Sequence, residues 1–137
     1  MPTYREQRDK IIEAYFKDEI QPFDSKFCFC GTLADNNSAW NCEMLRIGDY
    51  DFSEYKRMEL PLLNIICQRT TGQSWEYFLN TGVQVPLSKI QRSKKYEDAI
   101  FEGMSAALDV LKDIHRSRGE NVDDEQTKFT KRELSKV

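Results

Sequence analysis

Five side chains in this sequence are of types that could bind a metal or attack a carbonyl: Cys28, Cys30, Cys42, Cys67 and His115. Zinc takes four thiolate or imidazole ligands, usually supplied as Cys-x-x-Cys pairs. The close pair here is Cys-x-Cys, which an extended backbone holds too far apart to share a metal. Gly31 could relax this by permitting a turn, but there is no second pair. The cysteines also keep apolar company, as in Phe27-Cys28-Phe29 and Ile65-Ile66-Cys67. Buried free thiols behave as small hydrophobes, so the expectation is structural thiols with no metal and no cofactor.

The same residues allow a nucleophile reading. Cys28 or Cys30 would be the thiolate and His115 the base, with Asp35 or Asp49 orienting the imidazole. His115 is the single histidine and falls near the end of a long helical pattern. A cationic imidazole there would complement the helix dipole without doing chemistry. A cysteine hydrolase using Cys30 and His115 is therefore kept only as the alternative. The carboxylate runs Glu97-Asp98 and Asp123-Asp124-Glu125 have no apolar setting to raise a pKa and are read as solvated. No Gly-rich phosphate loop, His-Glu-x-x-His, EF-hand loop or dinucleotide fingerprint is present.

Two further patterns point to contacts rather than chemistry. Lys89, Arg92, Lys94 and Lys95 crowd what reads as the start of the last helix, where positive charge is unfavourable. An anionic partner would explain them, although the lack of interleaved aromatics does not favour nucleic acid. Ala99, Gly103 and Ala107 recur every fourth residue on that helix. Glycine there costs up to about 1 kcal/mol of helix propensity, which a close helix–helix approach would offset. The first helix or a second subunit is the expected neighbour, with Gly103→Leu disruptive and Gly103→Ala tolerated.

These residues need elements to position them. Thr3-Tyr4-Arg5-Glu6 is a capping box opening a helix, with Tyr4, Arg8, Ile11, Ile12, Tyr15 and Phe16 at helical spacing and Pro22 closing the segment. Residues 26–30 alternate as a short strand. Residues 39–47 fit either a strand or a helix, and the helix is favoured by Ser38 as N-cap and Gly48 as stop. A helix from Ser53 to Gly72 is interrupted by Pro61 near Leu60. Ser74 caps a short aromatic helix, and Val83, Val85 and Leu87 suggest an extended edge segment beside Pro86. The last helix runs from near Ser93 to Gly119, with Ile100, Met104, Ala107, Leu111 and Ile114 in a 4-3-4-3 pattern.

The chain has 137 residues and a net charge of −3, which fits one domain and not a strongly basic nucleic-acid binder. No apolar run approaches a membrane span or a secretory leader, so a reduced, cytoplasmic protein is expected. The predicted fold is mainly α, a single domain of four or five helices with a long C-terminal amphipathic helix. A small α+β fold using residues 26–30, 40–47 and 83–87 is the alternative. Residues 1–119 form the predicted helical domain, and 120–137 a polar tail anchored only by Phe129 and Leu134. The functional expectation is a non-enzymatic protein–protein interaction module: a small adaptor or assembly subunit, of the kind viruses or mobile elements encode, with a protein partner or a second copy of itself.

Overall fold

A computed structural model describes residues 3–23, 32–33, 46–47 and 50–130, with backbone alone at 46–47 and 50–53. The fold is mainly helical, with five helices of six residues or more among these residues.

Helix α1 (Tyr4–Phe16) opens with the capping box: Thr3 Oγ1 accepts from the Glu6 N–H, and the Thr3 N–H donates to Glu6 Oε1. It stops at Phe16, before Pro22. Asp18 takes a left-handed conformation (φ 54°), the Glu19 N–H reaches back to Ala14 O, and the Asp18 N–H reaches Tyr15 O. This paired closure satisfies carbonyls of the last turn. Its buried face is Tyr4, Gln7, Ile11, Ile12 and Ala14, while Phe16 is exposed.

A minimal antiparallel ladder pairs β1 (Arg46–Ile47) with β2 (Tyr50–Asp51), in the register Arg46↔Asp51 and Ile47↔Tyr50. The favoured helix over 39–47 therefore does not extend through its last two residues. The intervening Gly48-Asp49 is a hairpin-type dipeptide, the local signal that outweighs helical spacing. Residues 24–31 and 34–45, including the strand expected at 26–30, lie outside the described residues.

The expected interruption near Leu60 is present, in the turn just before it. Helix α2 (Phe52–Tyr55) passes into a 3₁₀ turn (Lys56–Met58) and then α3 (Glu59–Thr71). Pro61 thereby falls in the first turn of α3, where its missing N–H has no intrahelical acceptor. In a continuous helix its ring would meet the carbonyl of Arg57. Gly72 ends α3 at φ 84°.

Ser74 caps α4 (Trp75–Thr81) through its Oγ, which accepts from the Tyr77 N–H. Residues 83–86 pair with no strand, and Leu87 opens a short helix, α5 (Leu87–Arg92). The edge strand expected at 83–87 is thus absent. Buried Ile90 fixes α5 to the core. Helix α6 (Tyr96–Ser117) begins three residues later than Ser93, which instead ends α5 with extended backbone (ψ 140°) and accepts from the Lys95 N–H.

The core is built on α3 against α6, joined by α1 along the other side of α6. Leu62, Ile66, Met104, Ala107, Leu108, Leu111 and Ile114 are all buried there with Ile11 and Ile12. The packed unit does not end at residue 119. Val122 is buried in the same core and Phe129 packs against it, so a boundary at 119/120 cuts through a continuous interior. Leu134 lies outside the described residues. No described helix is long and apolar enough to cross a membrane.

Candidate functional site

The most chemically specific cluster lies where α1, α2 and the end of α6 meet. Gln7 stands on the apolar stripe of α1, one turn from Tyr4 and Ile11, and is buried. His115, 3% exposed, faces it from the last turn of α6. The distance from His115 Nε2 to Gln7 Oε1 is 2.6 Å, and Nδ1 lies 3.4 Å from Glu120 Oε1. On its other side, Gln7 presents Nε2 at 3.3 Å and Oε1 at 3.4 Å to the buried Tyr55 hydroxyl. Arg118 donates to that hydroxyl and to Glu54 Oε2, each at 2.7 Å, with its guanidinium 5.0 Å above the Tyr55 ring. Glu120 also accepts from the Tyr4 N–H at 2.9 Å, satisfying an otherwise unpaired donor at the start of α1.

Donor and acceptor capacity gives this chain a direction. Glu120 can only accept, so a neutral imidazole carries its proton on Nδ1 and accepts at Nε2. The Gln7 amide then presents its N–H to Nε2, since rotation by 180° exchanges its O and N positions. Its carbonyl accepts from Tyr55 O–H, whose oxygen in turn accepts from Arg118. In this orientation each contact of the chain pairs a donor with an acceptor.

Burial holds the His115 pKa below its ordinary value. The Glu120 carboxylate opposes that shift, the Arg118 charge reinforces it, and Glu54 weakly opposes it. The imidazole is therefore not the cationic group complementing the helix dipole that its position suggested. Both ring nitrogens are engaged, and the ring edge stands against Tyr4 at a centroid distance of 6.0 Å. Its proposed nucleophile Cys30, with Cys28 and Cys42, lies outside the described residues. Cys67 is fully buried in α3, and burial pushes its thiol up to about 11. It stays protonated at neutral pH and is a poor nucleophile. Among the described residues, no group of three His, Cys, Asp or Glu side chains is placed to hold a metal.

A second polar seam ties the segment after α6 to α1. Glu125 pairs with Arg5 at 3.0 Å and with Arg8 at 3.3 Å, and its carbonyl accepts from Lys112 Nζ at 2.7 Å. Arg8 lies between the rings of Tyr4 (5.9 Å) and Phe129 (5.5 Å). Glu125 is thus an ion-pair centre, unlike the solvated carboxylate expected; Asp123 reaches only Arg116, at 3.4 Å. Glu97 and Asp98 are exposed in the first turn of α6.

Ala99, Gly103 and Ala107 are buried within the chain, but the neighbour is α3 rather than α1. A Cβ on Gly103 would stand 2.5 Å from Leu62 Cδ1 and 3.2 Å from Leu62 Cα. Lys89 and Arg92 occupy the last turn of α5, where positive charge suits the dipole, and only Lys94 and Lys95 precede α6. Their crowding at one helix start is therefore not the anomaly it seemed. Lys89 and Arg92 line a shallow groove of about 510 Å³ together with Gln84, Val85, Pro86, Leu87 and Ser88.

Sequence reasoning missed Gln7, Tyr55, Arg118, Glu54 and Glu120. A single signal was available: Gln7 is the polar residue within the apolar stripe of α1. Compared with protein-family models, curated proteins and solved structures, the chain shows no match.

Proposed function

We propose that the chain is a non-enzymatic interaction module, an adaptor or assembly subunit that docks a protein partner through α4, α5 and the segment joining them. One observation carries this reading. Of the six large apolar side chains left exposed among the described residues, four fall in this short stretch: Tyr77 (38%), Leu79 (59%), Val83 (48%) and Leu87 (41%). Scattered apolar exposure is ordinary, whereas a concentration of it marks contact surfaces. The polar groups around Gln7 support the same view, because His115, Tyr55 and Arg118 bond within that buried cluster. We place the module in the reducing cytoplasm, a setting supported by the buried free thiol of Cys67.

The test introduces a photo-crosslinking residue at Leu79, Val83 or Leu87 in cells expressing the full chain, with Glu13 as an exposed control on α1. Discrete protein adducts are expected from the first three sites, and are lost when Val83→Asp and Leu87→Asp are combined. Equal adducts from Glu13, or no effect of the double variant, would overturn the reading. Sedimentation of the purified chain distinguishes a second copy from a different partner.

A further inference from the structure

We infer that the occupant of the α5 groove is an acidic protein segment carrying apolar anchors. This rests on the docking reading above and adds the chemistry of the partner.

The argument is charge complementarity around an apolar floor. From Tyr77 to Tyr96 the sequence contains Lys89, Arg92, Lys94 and Lys95 and not one carboxylate, in a chain where 23 acidic residues outnumber 20 basic ones. Several cations elsewhere in this protein have carboxylate partners: Arg5 and Arg8 on Glu125, Lys17 on Glu13, Arg69 on Glu102, Arg116 on Asp113 and Arg118 on Glu54. Lys10, Lys56, Arg57 and Lys128 take part in no ion pair among the described residues. Among the described residues, none of the four cations of this stretch takes part in an ion pair. All four are exposed. Arg92 directs its Nε to the Ser88 carbonyl at 3.2 Å, which holds the guanidinium against α5 beside the groove. Beside Lys89 and Arg92, the floor of the groove is Val85, Pro86 and Leu87.

A matching segment places leucine-like side chains on that floor and carboxylates against the rim. Complementary charge of this kind raises the association rate and selects among partners, while buried apolar anchors supply the affinity. Nucleic acid fits the surface less well. The residues between the cations are Ile90, Gln91 and Ser93, which offer no aromatic face for a base to stack on, and the remainder of the chain is acidic.

A random 12-residue peptide display library selected on the full-length chain tests this directly. The expected result is enrichment of peptides combining Asp or Glu with Leu, Ile, Val or Phe. A synthesised peptide of that class should bind about tenfold more weakly to the Lys89→Glu, Arg92→Glu double variant. Its binding should also weaken as salt rises from 50 to 200 mM. Both substitutions are on exposed side chains, and circular dichroism confirms that the variant is folded.

Enrichment of neutral or basic peptides, or of none, overturns the inference. So does tighter binding of a 20-nucleotide single-stranded DNA through the same cations. If crosslinking from Leu79, Val83 and Leu87 still gives adducts lost in the Val83→Asp, Leu87→Asp variant, the docking reading stands and only the acidic character fails. If that crosslinking fails too, both readings fall.

Discussion

Gly103 of α6 lies directly over Leu62 of α3, close enough that a methyl group added to Gly103 would stand 2.5 Å from the Leu62 Cδ1 atom. The absent side chain is what allows α3 and α6 to approach. Leu62 Cδ1 can rotate away from a methyl, but Leu62 Cα, at 3.2 Å, moves only with its helix. Gly103→Ala should therefore lose about 1 kcal/mol, the overpacking exceeding the gain of up to about 1 kcal/mol in helix propensity. That replaces the expectation of tolerance formed without knowledge of the neighbour. Gly103→Leu should cost at least the upper part of the roughly 1–3 kcal/mol typical of overpacking. Urea denaturation of both variants measures the order.

Protonation of His115 should couple stability to pH. Its folded pKa lies below the unfolded value of 6.5 because burial disfavours the charged ring. The unfolded chain thus binds the proton more readily, and the contribution of neutral His115 is fully present above about pH 6.5. It is lost as pH falls from there through the folded pKa. The groups that act on the ring are Tyr4 and Gln7 from α1, Glu54 from α2, and Arg118 and Glu120 beyond α6. Melting temperature recorded from pH 8 to pH 5 should fall below pH 6.5, and His115→Gln should flatten that part of the curve. Nitrogen chemical shifts at pH 7.5 should show the proton on Nδ1.

Truncation after Glu120 should destabilise the domain strongly. It removes buried Val122, whose burial alone contributes about 1.5–3 kcal/mol. It also leaves Arg8 without Glu125 and without the Phe129 ring. The melting temperature should drop by several degrees at least. An unchanged melt would show that the segment merely rests on the surface.

Cys67 should resist alkylation in the native protein. Its thiol is inaccessible, and burial raises its pKa to about 11. Iodoacetamide at pH 8, followed by peptide mass spectrometry, should leave Cys67 unmodified until denaturant is added. Rapid native labelling would mean that α3 opens locally.

The elements that sequence alone identified well are those with many residues per pattern. Helix α6 carries five core positions in a repeating 4-3-4-3 series, and α1 and α4 carry side-chain caps at Thr3 and Ser74 that act over three residues. Helix α5 was invisible because six residues with one buried anchor, Ile90, show no period. The alternation of Val83, Val85 and Leu87 then suggested a strand where only Val85 is half-buried. The buried polar chain was hidden for a different reason. Gln7 meets Tyr55 and His115 across 48 and 108 positions, and no spacing rule relates residues that distant. The polar segment after Gly119 was misjudged because its attachment depends on Val122 and on ion pairs with α1, and composition weighs neither.

The seam between α1 and the segment after α6 has a consequence for the order of folding. Its contacts, Tyr4 with Glu120 and Arg5 with Glu125, span 116 and 120 positions, and α1 meets α6 itself through Tyr4 with Leu108 and Gln7 with His115, across 104 and 108. The α3–α6 pair, by contrast, is joined by a much shorter loop, whose closure costs less entropy. During synthesis α1 leaves the ribosome long before any of these partners exists. Its thirteen residues are too few to hold a helix securely alone. Helix α1 must therefore wait, exposing Ile11 and Ile12, until the chain beyond His115 emerges and the two distant segments join each other beside α6.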